Sequence, residues 1–518
     1  MKKTVFLLVS VLVTGFLGGC DVVSSTSGSL PSSSIEESTV ECHVYESVGL
    51  PAMAGDVTYA YQGEDIEVDE ENNTVCGTLA NTETSLTMDN GTERILVKVK
   101  VLNRAYASKH AGAEESEGWF GEVAASPIEG LSSSFAAGID VSSAKELYDA
   151  GQKFYNADGV EESLFRILRD NGVNWARFRL WNDPYNHNFL DSSGDPTPYG
   201  GGICDLAGVT WMAREAKRFG LQVYLDLHYS DFWADPSNQV IPKAWASYTT
   251  ADQFASAISS YTTAVLTTLI AAEAKPDLVS IGNENIAGLL LSYPGADSST
   301  YSNGNPGYIA NKTAAPSTVA GKIGSANLVK YLKAGVDAVK AVDPSILTMI
   351  HMAKGLSAKD YIKSIYDGFS SIDYDVIGLS GYAYWHFSTM SVLKGAMEYL
   401  SSAFPDKKIC LAETSYGFTY EEDVRCQNSF SESADTCKPV AGYPVSIQGQ
   451  ASILRDTMAE VAAIPNGFGV FYWEGAWTAT AFCGWADKTS LVTWANQGLF
   501  SYNGKALGSL SVYSKIRG

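Results

Sequence analysis

Two glutamates stand where short apolar runs give way to polar and glycine residues: Glu284 in Ile281-Gly282-Asn283-Glu284-Asn285, and Glu413 in Ala412-Glu413-Thr414-Ser415-Tyr416-Gly417. A run of that kind reads as a buried parallel strand, and the change in polarity marks its C-terminal tip. Two carboxyl groups facing one another across a sugar-sized cleft can do acid–base and nucleophilic work on a glycosidic bond. Retention of configuration needs them about 5 to 5.5 Å apart. The competing reading, two structural ion-pair partners, fits a strand-tip setting less well.

Other reactive groups gather at similar places. Arg177 and Arg179 lie two residues apart in Arg177-Phe178-Arg179-Leu180-Trp181-Asn182-Asp183, so a strand puts both on one face. An arginine inside a barrel needs a carboxylate, and Glu413 is a candidate. His228, alone, would be a satisfied core histidine. Its neighbours Tyr229, Asp231 and Trp233 point instead to a sugar-contacting loop. Tyr382 and Trp473 end two further apolar runs.

Elements able to position these groups recur from residue 135 onward. Eight candidate strands fall at 135–139, 175–180, 222–227, 278–282, 347–351, 376–380, 408–412 and 469–473. Amphipathic, helix-like stretches lie between them at 161–171, 210–219, 253–272, 326–342 and 446–464, and no transmembrane stretch is expected there. The alternation predicts an α/β protein, a (β/α)8 TIM barrel with its reactive groups on the C-terminal face. At 518 residues and 45% hydrophobic, the chain can bury such a core and still hold a second unit. A net charge of −22 excludes a nucleic-acid partner, which would need clustered Lys and Arg.

The N-terminus reads as an address. Lys2 and Lys3 precede an apolar run from Val5 to Phe16, too short for a permanent span, and Leu17-Gly18-Gly19-Cys20 resembles a bacterial lipobox. The expectation is a signal peptide over 1–19, a lipid anchor on Cys20, and an exported protein held at a membrane, periplasmic or at the cell surface. A Ser-rich tether over 20–39 leads to a small β-rich domain or appendage over 40–130, ahead of a barrel over 131–518. Spacer and carbohydrate-binding module are both open for the appendage. Export allows disulfides, and Cys42–Cys76 and Cys426–Cys437 are the expected pairs. Setting Cys20 aside leaves an odd number of the eight cysteines, so at least one stays unpaired within the chain.

With these segments in hand, the chain from Phe135 resembles the endo-β-1,4-galactanases of glycoside hydrolase family 53. The resemblance rests on Gly138-Ile139-Asp140-Val141-Ser142, Arg177 to Tyr185, His228 to Pro236, Pro242-Lys243-Ala244-Trp245, Ile281 to Asn285, Ala412 to Gly417 and Phe471 to Trp477. It implies retaining hydrolysis of β-1,4-galactan, the polysaccharide substrate, with Glu284 as acid/base and Glu413 as nucleophile. It further implies substrate-binding roles for Asn283, Arg177, His228, Tyr382, Trp473, Trp233 and Asp183. Relatives can hold a structural calcium in the loop after the seventh strand. That loop here has acidic residues without ligand spacing, so no metal and no cofactor is expected, and the enzyme is expected to act as a monomer. Two alternatives remain: a related enzyme cutting β-1,4-glucan or mannan, since loops set substrate choice, and a non-catalytic surface glycan-binding lipoprotein.

Overall fold

The computed structural model describes residues 35–110, 113–298, 305–431, 437–487, 489–492 and 494–518. The expected leader, the Cys20 anchor and the tether as far as Ser34 lie outside the described residues. Eight parallel strands close into a barrel in chain order: β1 (Ala136–Asp140), β2 (Trp175–Leu180), β3 (Gln222–Leu227), β4 (Leu278–Ile281), β5 (Leu347–Met352), β6 (Val376–Ser380), β7 (Lys408–Thr414) and β8 (Gly467–Tyr472). The strands are buried on both faces, which is why they read as continuous apolar runs. Helices Leu164–Asp170, Leu206–Arg218, Ala251–Ala271, Ala326–Val342, Met390–Ala403 and Ile447–Ala462 cover the outside, giving the expected (β/α)8 barrel.

Period two inside the barrel decides what reaches its mouth. Trp175, Tyr224, Met349 and Phe471 fill the lumen. A Cβ on Gly138 would lie 2.3 Å from the Phe471 ring, so glycine is required where that ring crosses β1. Above this layer β2 carries Arg177 and then Arg179 toward the C-terminal face, while Phe178 and Leu180 point out to the helices. Helix Ala251–Ala271 starts in a capping box between Thr250 and Gln253, worth about 1 kcal/mol. By length and composition alone it could cross a membrane, a test that a barrel's covering helix also passes. Here Phe254, Ile258, Val265 and Leu269 pack it onto the barrel instead.

Strands between residues 36 and 101 form the expected β-rich unit. Its four-stranded sheet runs Glu36–Cys42, Arg94–Val101, Thr82–Asp89, Thr58–Ala60, and a smaller sheet joins Val48–Gly49, Thr74–Gly77 and Ile66–Asp69. Residues 36–39, expected in the tether, lie in a strand instead: Glu36–Cys42 pairs in parallel with Arg94–Val101, Val40 opposite Val99. The unit is docked on the barrel's flank. Tyr45 Oη lies 2.5 Å from Glu215 Oε2 and 2.7 Å from Ser163 Oγ, Arg104 Nη1 bonds buried Glu161 (2.9 Å), and Arg166 bonds Asp65 (2.7 Å).

Neither expected disulfide is formed; no S–S bond occurs among the described cysteines. Strand alternation explains the first case. Cys42 packs with Val75 in the apolar core of the β-rich unit, whereas Cys76 next to Val75 points to the other side, beside Glu67 and Glu215. In the second, Cys426 sits on a backbone bridge to Val492 with Sγ toward Asn428, while Cys437 lies near Tyr384. Cys410 is a small buried residue of β7, as its position in an apolar run suggested.

Candidate active site

At the mouth, β4 stops at Ile281 and the chain turns sharply, Gly282 taking φ +77° and Glu284 φ +48°. A left-handed residue other than glycine costs about 1–2 kcal/mol, so neighbouring bonds must hold it. Asn285 supplies them: its Nδ2–H donates to Ile281 O (2.9 Å) and its N–H to His351 O (2.8 Å). Glu413 comes from within β7, where a register shift puts it opposite Ser380, and Gly381 N–H donates to its carbonyl at 2.7 Å. Both glutamates open onto one cleft of about 640 Å³.

Glu413 is clamped from two sides. Arg177 Nη2 donates to Glu413 Oε1 (2.7 Å) and to Asp226 Oδ2 (2.6 Å), its Nη1 donates to Asp140 Oδ2 (2.6 Å), and Tyr382 Oη donates to Glu413 Oε2 (2.9 Å). Asn283 Nδ2–H donates to Ala234 O (2.8 Å), which turns Oδ1 inward to accept from Arg177 Nη2 (3.2 Å). His228 Nδ1 accepts from Trp181 Nε1–H (3.0 Å) and Ala234 N–H (3.1 Å), so its proton sits on Nε2, 3.2 Å from Asp226 Oδ2. Burial would raise Asp226 by itself, but Arg177 and His228 outweigh it and bring its pKa down to about 2. Asp226, His351 and Glu413 offer donor atoms within 4.8 Å of one another, the spacing of a metal site. Arg177 Nη2 already bonds both carboxylates, so a guanidinium stands where a cation would.

The two catalytic candidates differ in how they hold a proton. Burial pushes Glu413 up to about 7, with Arg177 acting against it. Glu284 is pushed well above the usual carboxylate range, first by burial and then by the charge of Glu413. Glu413 therefore ionises first and Glu284 keeps its proton, the division a nucleophile and a general acid require. Tryptophans wall the cleft around them: Trp233 stacks on Trp485 at 4.7 Å, and Trp473 meets Trp494 edge-on at 4.6 Å. Arg179 lies 4.2 Å from the Trp233 ring and props it from behind.

Residues 136–513 match the sequence profile of glycosyl hydrolase family 53. The chain belongs to this family. It is 32% identical to the endo-β-1,4-galactanase of Bacillus subtilis (strain 168) over 449 residues, 80% of this chain and 94% of that one. It is 31% identical to the arabinogalactan endo-β-1,4-galactanase of Cellvibrio japonicus (strain Ueda107), over 67% of this chain and 81% of the relative. Among solved structures, the family 53 catalytic domain from Ignisphaera aggregans superposes with a TM-score of 0.64 at 36% identity, covering 76% of this chain and all of that one. One of two fungal β-1,4-galactanases gives 0.56 at 28% identity, over 74% of this chain.

In this family 53 glycoside hydrolase the structure gathers Glu284, Glu413, Asn283, His228, Tyr382, Trp233 and Trp473 around the cleft. Two expected substrate contacts fall elsewhere. Arg177 lies beneath the cleft, 1% exposed and bonded through its terminal nitrogens to three carboxylates, so it holds Glu413 without lining the cleft. Asp183 sits in the loop after β2, outside the cleft, paired with His187 (2.9 Å) and Lys243 (3.8 Å). Sequence reasoning passed over Trp485, Trp494 and the exposed Trp385, all lining the cleft, and over Ser380 and His351 beneath it. Ser380 and His351 each closed an expected strand, so their place at the barrel's mouth was already readable.

Proposed function

We propose that this family 53 enzyme cuts β-1,4-galactan internally, with retention, through a covalent intermediate on Glu413. The observation that carries the reading is the asymmetric pair: a carboxylate held by Arg177 and Tyr382 facing the same cleft as a carboxylic acid on Glu284. The named relatives supply the substrate class. Glu413 attacks the anomeric carbon as the bond to the leaving oxygen breaks, and the Glu284 proton goes to that oxygen. Water then enters; the Glu284 carboxylate takes its proton while the water oxygen bonds the anomeric carbon and frees Glu413. A tryptophan-walled open cleft suits several stacked sugars, hence internal cleavage.

Digestion of linear β-1,4-galactan followed by proton NMR should show oligosaccharides from the earliest time points, with new reducing ends first appearing as the β anomer. First-formed α anomer would rule out Glu413 as nucleophile. Turnover of mannan or glucan in place of galactan would move the substrate to another chain, and binding without turnover would leave a glycan-binding protein.

We also propose that the enzyme is exported and held at a membrane by lipid on Cys20. Support comes from Lys2 and Lys3, the apolar run that follows, and Gly18-Gly19 before the cysteine. Mass spectrometry of the mature N-terminus should find Cys20 first and acylated; an unmodified Cys20 ends the idea.

A further inference from the structure

A buried chain of three hydrogen bonds leads away from Glu284. Its Oε1 lies 2.5 Å from Ser380 Oγ, Ser380 Oγ lies 3.0 Å from His351 Nε2, and His351 Nδ1 lies 2.9 Å from Asn283 Oδ1. The proton positions along it follow from chemistry. Asn283 Oδ1 is fixed as the inward atom because Arg177, which can only donate, bonds it and Nδ2 is spent on Ala234 O. An amide oxygen only accepts, so His351 Nδ1 must carry hydrogen. His351 is fully buried, and burial holds its pKa down to about 3; Nε2 is therefore a bare lone pair. The one hydrogen within reach belongs to Ser380. If that hydrogen goes to His351, Ser380 Oγ faces Glu284 with lone pairs, and the pair is bonded only when Glu284 carries a proton.

We propose that Ser380 and His351 are positioning residues that favour the protonated form of Glu284: the chain is fully satisfied with the acid and loses one buried bond with the carboxylate. When Glu284 ionises, Ser380 must turn to it and leave His351 Nε2 unpaired, or stay and leave a carboxylate facing a lone pair. The chain thereby helps keep the general acid loaded between turnovers. Donated to Glu284, the Ser380 hydroxyl would favour the carboxylate, and its capture by His351 Nε2 is what opposes that; the charged and titratable groups around Glu284 are Glu413 on β7, Asp235 in the loop after β3 and Arg177 on β2. Those around His351 are Asp226, Arg177, His228 and His386. None of them supplies a hydrogen to Nε2, and the net charge they present is the same in every variant below.

The inference rests on Glu284 as the acid of the proposed hydrolysis, yet its test reads the proton directly. With glutamate labelled at the side-chain carboxyl carbon, and the Glu284 signal identified by its loss in Glu284→Gln, a pH titration by NMR gives the proton affinity of Glu284. Ser380→Ala should weaken that affinity about tenfold, moving the titration and the alkaline limb of kcat/KM down about one pH unit. Ser380→Thr, which keeps the hydroxyl, should restore it. In His351→Phe the serine is released to donate to the carboxylate, so the affinity falls again. On that background Ser380→Ala should now raise it. This reversal of sign is the signature of the chain, and a merely structural serine would not produce it. An upward shift in Ser380→Ala alone, or the same titration in all variants, overturns the inference; absence of galactan turnover overturns the hydrolase reading and leaves the titration standing.

Discussion

Glu413→Gln should lower kcat/KM on galactan by at least about 10⁴-fold, because the amide keeps the shape but removes the electron pair that forms the glycosyl bond. The loss corresponds to about 5.4 kcal/mol of transition-state stabilisation at 1.36 kcal/mol per decade. The same substitution removes the negative charge that, after burial, is the largest influence raising Glu284. The pKa of Glu284 should therefore fall, although Glu284 itself is untouched. Glu284→Gln should behave differently: about 10² to 10⁴-fold lower kcat on galactan, and a far smaller loss of the first step on an aryl glycoside whose leaving group needs no proton. Burst kinetics on the aryl substrate separate the two variants, since only Glu284→Gln can still accumulate the covalent intermediate. Equal losses on both substrates in both variants would dissolve the division of roles.

Much of this site is legible in the sequence, and the reason is geometric. Strands β2, β3 and β6 run over the residues expected of them because each is buried on both faces, so the apolar run and the element have the same ends. β7 extends to Thr414, two residues beyond the expected end, because its tip is polar and still paired with β8, Thr414 opposite Tyr472. Hydrophobicity sees the core of a strand and misses a functional tip. The strand Glu36–Cys42 was hidden for the converse reason: it is half exposed and acidic, and its place is fixed by pairing with a partner more than fifty residues away.

The misplaced residues follow the same logic. Arg177 and Asp183 lie in one segment resembling relatives, and sequence alone gives both an equal claim on the substrate. Period two sends Arg177 into the lumen, where three carboxylates consume it, while Asp183 lies past the strand in a loop that folds away toward Lys243. The Ser380–His351 chain was invisible as a relation although both residues were visible as strand ends. β5 and β6 are neighbours, and only their register, with His351 opposite Gly378 and two residues short of Ser380, brings the side chains together over Glu284. The Cys42–Cys76 pairing failed because alternation along the strand puts Val75, not Cys76, on the face that packs with Cys42.

Arg177→Met should be the most destabilising single change at the mouth of the barrel. The arginine is buried with Asp140, Asp226 and Glu413 all within 2.7 Å of its nitrogens, so removing it leaves carboxylates out of water without a counter-ion. Breaking a buried pair from one side costs about 3–5 kcal/mol. The sign of the pH dependence is fixed by linkage. In the native protein Asp226 is held near 2, below its unfolded value, so its contribution is present at neutral pH and lost only as pH falls through about 2. Without Arg177, burial is opposed mainly by the neighbouring histidines at Asp226 and by Tyr382 at Glu413, so the folded carboxyls rise, Glu413 further above its unfolded value, and the variant recovers stability as acid protonates them. The gap between wild type and variant in urea midpoint should thus be widest near neutrality and narrow toward pH 5. Activity should move as well: Glu413 and Glu284 both lose a stabilising positive charge, so both limbs of the pH–rate profile shift upward, the acid limb by about one unit or more. A variant as stable as wild type at both pH values, with an unmoved acid limb, would show that the guanidinium is a bystander and that Tyr382 alone holds the nucleophile.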